Sequence, residues 1–310
     1  MPPTVASDSA KRALLDHLID DASLFPPAGL DMRAALRAHA RHRESAYAWI
    51  GGNFVVPASR LTELIAARDN NATLTLSVIM DGAQRAKGNT VIADLDRVTR
   101  GRVDGITVSS FELRPAATTI PLDAVIAAIA DHAGSDTIAL WYEVPYAAGW
   151  QRSPDAALSE IAAARSAAPS HVSVGAKLRC GGLTPGTTPS TEEVAAFLVA
   201  AQTHAVPFKA TAGLHHPVRG VYHGVLMHGF LNLYIAAIAL HAGAIDADRL
   251  PAILAEEDAR AFVVDPTHIG WNDVRVEPDA IAAAREWCVA FGSCSFDEPV
   301  NDLRELGLLL

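Results

Sequence analysis

The strongest constraint on the fold of this chain is a repeated alternation: eight short β-branched or aromatic runs, most followed directly by an alanine-rich stretch of helical spacing. The runs lie near Ala22–Phe25, Trp49–Val56, Leu74–Met80, Gly105–Ser109, Thr137–Val144, Val172–Arg179, Val206–Thr211 and Val289–Ser295. The intervening helices are predicted over Met32–His42, Arg60–Arg68, Ala83–Val98, Leu122–His132, Pro154–Ala167, Thr191–Thr203, Gly224–His241 and Glu298–Leu308. Ser153-Pro154 offers an N-cap with proline in the first turn, and Ser190 to Glu193 reads as a capping box. Eight strand–helix units in one 310-residue chain predict an α/β fold, a single (β/α)8 TIM barrel over 1–310. A doubly wound open sheet is the alternative, but no G-x-G-x-x-G follows the first run. Residues 246–287 break the alternation and read as an insertion between the seventh and eighth units, of a length that covers a site or an interface.

Composition narrows the function. With 50% hydrophobic and 19% charged residues the chain is not a disordered one. A net charge of −10 without a run of like charges argues against nucleic-acid and anionic-lipid partners. Residues 1–12 contain no continuous apolar segment, and the apolar stretch Val225–Gly243 is broken by His228, Asn232 and His241, too polar for a bilayer span. Three cysteines without metal-binding spacing fit a reduced cytoplasm. These features predict a cytoplasmic protein acting on a small molecule.

Barrel strands are buried on both faces, so polar residues within them require a reason. In the sixth run Val172, Val174, Ala176 and Leu178 form an apolar column, leaving Ser173, Gly175, Lys177 and Arg179 to face the barrel axis. The seventh run turns Lys209 and Thr211 inward, the fifth Trp141 and Glu143, and the third Thr75, Ser77 and finally Asp81. The charged inward residues fall toward the C-terminal strand ends, the catalytic face of such barrels. Only four of the 25 basic residues are lysine, yet Lys177 and Lys209 occupy matching places on neighbouring strands. Two amines brought together in a partly dehydrated pocket should depress one lysine's pKa, and a neutral amine can attack a carbonyl to form a Schiff base. The structural alternative is a satisfied network in which both lysines pair with Glu143 and Asp81.

The stretches Lys177-Leu178-Arg179-Cys180-Gly181-Gly182 and Lys209-Ala210-Thr211-Ala212-Gly213-Leu214 resemble the strand-six and strand-seven motifs of class I aldolase barrels, deoxyribose-phosphate aldolase in particular. The resemblance implies a lyase in which Lys177 is the Schiff-base nucleophile and Lys209 its activator. It covers these two stretches alone. Leu178 and Arg179 stand where that family has small residues, and the second glycine after Lys209 is absent, so its phosphate-gripping loop is not carried over.

Other residues complete the candidate site. Glu143, Asp81 or a histidine, His215 or His216 after the seventh run, would move protons; with Glu143 the two histidines form the alternative of a divalent-metal lyase or hydrolase, whereas the imine reading needs no cofactor. Arg179 suits an acidic substrate group, with Thr211, Asn53, Ser109 and Cys294 as further substrate-binding candidates and Glu112, with Ser109 at the end of the fourth strand, as plausible pocket lining. A non-catalytic small-molecule-binding barrel is the third class. His39 and His42, beside Arg41 and Arg43, read as a solvated helix face. The helix Val225–Leu240 is apolar nearly all round, which predicts burial under the insertion or at a subunit contact, and a homo-oligomer, most simply a twofold homodimer, is expected.

Overall fold

The computed structural model describes residues 9–69, 72–81, 94–96, 98, 104–114, 121–144, 154–182 and 188–309. Eight parallel strands close into a barrel in the order β1 (Ile19–Asp21), β2 (Gly51–Pro57), β3 (Leu74–Ile79), β4 (Ile106–Leu113), β5 (Ile138–Glu143), β6 (Val172–Arg179), β7 (Phe208–Thr211) and the last strand of the chain, which pairs back onto β1. This is a (β/α)8 TIM barrel. Helix α1 (Ser9–Leu15) precedes β1; α2 (Met32–Glu44), α3 (Leu61–Ala67), α4 (Leu122–Ala133), α5 (Pro154–Ala167) and α6 (Thr191–Thr203) follow the strands. The helix predicted over Ala83–Val98 lies, except for 94–96 and 98, outside the described residues, as does the Ser153 cap.

Local chemistry sets several of these boundaries. Asp31 caps α2 by accepting from the Ala34 amide at 2.8 Å. At α6, Ser190 and Glu193 exchange side-chain and backbone bonds in the expected capping box. The apolar columns pack outward: Leu76, Val78, Phe111, Leu140, Val174, Ala176, Leu178, Phe208 and Ala210 are all fully buried. Each large aliphatic or aromatic side chain so buried contributes roughly 1.5–3 kcal/mol.

Two predicted elements move. The first strand comprises residues 19–21, not Ala22–Phe25, which turns Asp20 toward the axis. After β7, the expected helix from Gly224 is preceded by a hairpin, β8 (Gly220–Tyr222) and β9 (Val225–Met227). Its two-residue turn needs positive φ at both positions, and His223 and Gly224 supply 51° and 80°. Helix α7 (Phe230–His241) then begins, with every residue from Phe230 to Leu240 buried. The insertion covers it: α8 (Leu250–Ala255), the antiparallel strands β10 (Phe262–Val264), β11 (Ile269–Trp271) and β12 (Val274–Val276), and α9 (Pro278–Arg285). Helices α8 and α9 and strands β11 and β12 all pack on α7, so its all-round apolarity is accounted for within the chain. Strand β13 (Cys288–Ser293) closes the barrel and α10 (Asp297–Glu305) follows.

The polar interruption in α7 has a function in this packing. Fully buried Asn232 accepts from the Arg219 amide and donates to Ile253 O and Glu256 O, each at 2.8 Å, fastening the hairpin entrance and the insertion to one helix. The supposed solvated face of α2 is also corrected. His39 is buried with Nδ1 3.0 Å from Asp21 Oδ2, and His42 stacks on Phe296 while lying 3.3 Å from Asp297. Asp21 faces outward from β1 and draws both rings into the seam between barrel and helices. Among the described residues no helix is long and apolar enough to cross a membrane.

Candidate active site

Strands β6 and β7 pair Lys177 directly with Lys209, and β5 pairs Glu143 with Lys177, so the inward residues of three adjacent strands converge. The link between the two amines is a carboxylate. Glu112 on β4 receives Lys177 Nζ on Oε2 and Lys209 Nζ on Oε1, both at 2.6 Å. Lys209 also donates to Asp20 Oδ2 at 2.6 Å, while Lys177 stands 3.6 Å from Glu143 Oε2. Glu143 Oε1 in turn meets Arg179 Nε at 3.1 Å and Arg114 Nε at 3.0 Å. The result is an alternating chain of charge, from Asp20 through Lys209, Glu112, Lys177 and Glu143 to the two arginines. Side-chain exposure rises along it, from 2% at Asp20 and Lys209 through 7% at Lys177 to 22% at Arg179 and 45% at Arg114. The deep end is therefore locked, and the arginine end opens to solvent.

The locking is thorough at Glu112. Ser77 Oγ donates to its Oε1 at 2.7 Å and is itself held by Ser110 at 2.7 Å. Burial alone would raise the Glu112 pKa, but the charges of Lys177 and Lys209 outweigh it and hold the carboxyl well below its usual range. Lys209 behaves oppositely to the expected depressed amine. Burial disfavours its charge, yet Asp20 and Glu112 flank it and drive its pKa up. Mutual repulsion between the lysines is cancelled because a carboxylate lies between them. The lysine partners among the described residues are thus Glu112, Asp20 and Glu143. Asp81 instead accepts from the Ser59 amide at 2.9 Å and from the Ser59 hydroxyl at 2.5 Å.

Glycines shape this interior. A Cβ on Gly52 would lie 2.3 Å from Asp20 Oδ1, so glycine there lets the carboxylate rest against the β2 backbone and accept from the Asn53 amide at 2.6 Å. A Cβ on Gly175 would meet the Trp141 ring at 2.4 Å; the missing side chain gives the indole its place one layer below Lys177 and Glu143. Beyond the strand ends, Gly181 and Gly213 touch backbone to backbone, a Cβ on either falling 2.9 Å from the other's Cα, and Gly213 has φ 72°.

The remaining candidates divide. Ser109 is the extra residue of a β-bulge, since Leu76 pairs with Val108 and Ser77 with Ser110. Its hydroxyl donates to Asn53 Oδ1 at 3.0 Å and Leu76 O at 3.1 Å. Thr211 lies opposite Arg179 on β6 and Gly292 on β13. His215 and His216 turn to α10: His215 Nδ1 is 3.0 Å from Glu298 Oε2, and His216 Nδ1 is 2.6 Å from Asp302 Oδ2 while its ring stacks on Tyr222 at 3.4 Å. Cys294 Sγ lies 3.8 Å from His215, and burial raises its thiol pKa. Glu143 is committed to Lys177 and the arginines, so it does not join the two histidines, and no trio of His, Cys, Asp or Glu among the described residues is arranged to hold a metal ion.

Two positions of the network, Asp20 and Arg114, escaped the sequence reading. Asp20 lay outside the strand predicted at Ala22–Phe25, although Leu18-Ile19 followed by two acids signals a short buried strand. Glu112 was expected at the end of the fourth strand as pocket lining but not as the lysines' shared partner, and Arg114 lay beyond that strand, although Phe111 and Leu113 continue the outward column and place Ser110 and Glu112 inward.

No family model and no curated protein matches the chain. A solved structure, dihydropteroate synthase from Xanthomonas albilineans in complex with 7,8-dihydropteroate, superposes with a TM-score of 0.41 at 12% identity, covering 95% of this chain and 94% of that one. The barrel assignment rests on the strand pairing above and not on this distant likeness.

Proposed function

We propose that this protein is an enzyme of carbonyl chemistry, a lyase of the aldolase type that works through an imine on Lys177. The observation that carries the reading is the setting of Lys177: an amine at the border between the locked interior and the open mouth, beside a buried carboxylate oxygen, Glu143 Oε2, with no hydrogen-bond partner among the described residues. A buried unpaired acceptor is costly and needs a reason. Accepting the Lys177 proton supplies one. Glu112 is a poor alternative base because its charge is held so firmly by two cations.

The chemistry follows from that division. Lys177 passes a proton to Glu143, and its nitrogen pair attacks the substrate carbonyl carbon. The carbonyl oxygen leaves as water after gaining two protons, and a protonated imine remains. That cation draws electrons from the adjacent carbon, so a carbon–carbon bond there can break with its pair moving toward nitrogen, or form in reverse. Lys209 acts on Lys177 through Glu112, fixing the anion that anchors the nucleophile.

Borohydride added with small aldehydes, ketones and oxo acids tests this directly. The expected result is an intact-mass increase equal to substrate minus water plus two hydrogens, mapped to Lys177 and lost in Lys177→Ala. An unchanged mass with every carbonyl compound rejects the imine.

A further inference from the structure

Among the described residues the charge chain does not close at its outer end. Asp20, Glu112 and Glu143 face Lys209, Lys177, Arg179 and Arg114, which leaves one positive charge in excess within a protein of net charge −10. The excess lies at the mouth, where two guanidinium groups share a single carboxylate oxygen through their Nε atoms. One carboxylate does not need two arginines on one oxygen and a lysine near the other. Binding through Nε also leaves terminal nitrogens for another acceptor; Arg179 spends Nη1 on Gly181 O at 3.3 Å, and Arg114 has no further partner among the described residues. Guanidinium groups favour planar or tetrahedral oxyanions, which they grip with two parallel N–H bonds.

We infer that Arg114 and Arg179 form an oxyanion subsite at the barrel mouth, and that the substrate is a short carbonyl compound carrying a carboxylate or phosphate. This deepens the imine reading and rests on it for the position of the reacting carbon. Glu143 links the two functions: Oε1 holds both arginines, while Oε2 faces Lys177. A ligand anion that draws the arginines outward loosens them from Glu143 and leaves that carboxylate to the lysine proton. Anchoring one end of the substrate on the arginines also presents its carbonyl to the amine at a fixed distance, which raises effective concentration.

The experiment compares borohydride trapping across pyruvate, dihydroxyacetone phosphate and acetone, reading the concentration that gives half-maximal labelling of Lys177. In the wild type one of the two anionic probes should label at a concentration at least tenfold below acetone, and the better of the two identifies the oxyanion as carboxylate or phosphate. In Arg114→Gln, a change at a half-exposed strand end that spares the interior, that preference should fall to near one. Equal labelling by anionic and neutral probes, or a preference unchanged in Arg114→Gln, overturns the subsite while leaving the imine standing. If no probe labels, the imine fails, and calorimetric titration with pyruvate and inorganic phosphate decides the subsite separately. Saturable binding weakened about tenfold in Arg114→Gln supports it; no binding, or binding equal in both proteins, overturns it.

Discussion

Replacing Glu112 with glutamine keeps the shape of the barrel interior and removes one charge from the middle of the network. Two 2.6 Å contacts to opposite oxygens of one carboxylate hold the ammonium groups apart. A separation of roughly 6 Å at an effective dielectric of about 20 gives a repulsion of about 3 kcal/mol once the intervening charge is gone. The loss has a ceiling, because one lysine can shed its proton instead, and doing so at pH 7 from an ordinary pKa of about 10.4 costs about 5 kcal/mol. Chemical denaturation should therefore show Glu112→Gln destabilised by about 3–5 kcal/mol at pH 7, the range for breaking a buried ion pair from one side. The pH dependence gives the sharper test. In the variant a lysine pKa falls below its unfolded value, so the unfolded state binds more protons and stability rises with pH between the two. The wild-type Lys209 has its pKa raised, so its contribution is present throughout that interval and fades only as pH passes above it. The gap between variant and wild type should narrow by about 1–3 kcal/mol from pH 7 to 9.5. A loss below about 1 kcal/mol, or a gap that stays flat, would show that Glu112 does not hold the two charges together.

Further outcomes follow from other parts of the structure. Asn232→Ala removes three hydrogen bonds of a fully buried side chain and leaves their backbone partners unmet, so denaturation should report a loss of about 2–4 kcal/mol; a cost under about 1 kcal/mol would mean the insertion is fastened elsewhere. Gly213→Ala forces a side chain into backbone contact at positive φ and should cost at least about 1–2 kcal/mol, with strand separation visible as faster amide exchange in β6 and β7. His42 has burial working against its charge, but Asp21 and Asp297 outweigh it and raise its pKa. Its stabilisation of the α2–α10 seam is thus complete below the unfolded pKa of about 6.5 and disappears as pH rises through the folded value. Stability measured between pH 5 and 8.5 should fall more steeply in the wild type than in His42→Asn; parallel curves would contradict this.

The fold was legible because its signal is distributed: eight periodic runs can each shift by a few residues and still pair around a barrel. The inward columns of β5, β6 and β7 were equally readable, since Val174, Ala176 and Leu178 leave Lys177 only one face to occupy. Glu143 was expected beside the lysines and lies 3.6 Å from Lys177; what could not be read was the identity of their other two partners. Asp20 sits on a strand of three residues, too short for a period, and Glu112 lies past a bulge at Ser109 that resets the alternation. Such a register change shows only in the pairing. The same gap explains the inverted expectation for Lys209: proximity of two amines was visible in the sequence, whereas the anion between them was not. His39 and His42 looked solvated because their arginine neighbours are polar, while the acid that buries them comes from β1.

The absence of a side chain at Gly175 has a consequence for traffic. With the Trp141 indole occupying that space, the barrel resembles a stoppered vessel and not a pipe. On the proposed imine chemistry, reactant, product and the water released in dehydration would share the doorway that the described residues form, entering and leaving past the same arginines. Turnover would then be paced by how readily that doorway empties, and a bulky or tightly held product would block its successor.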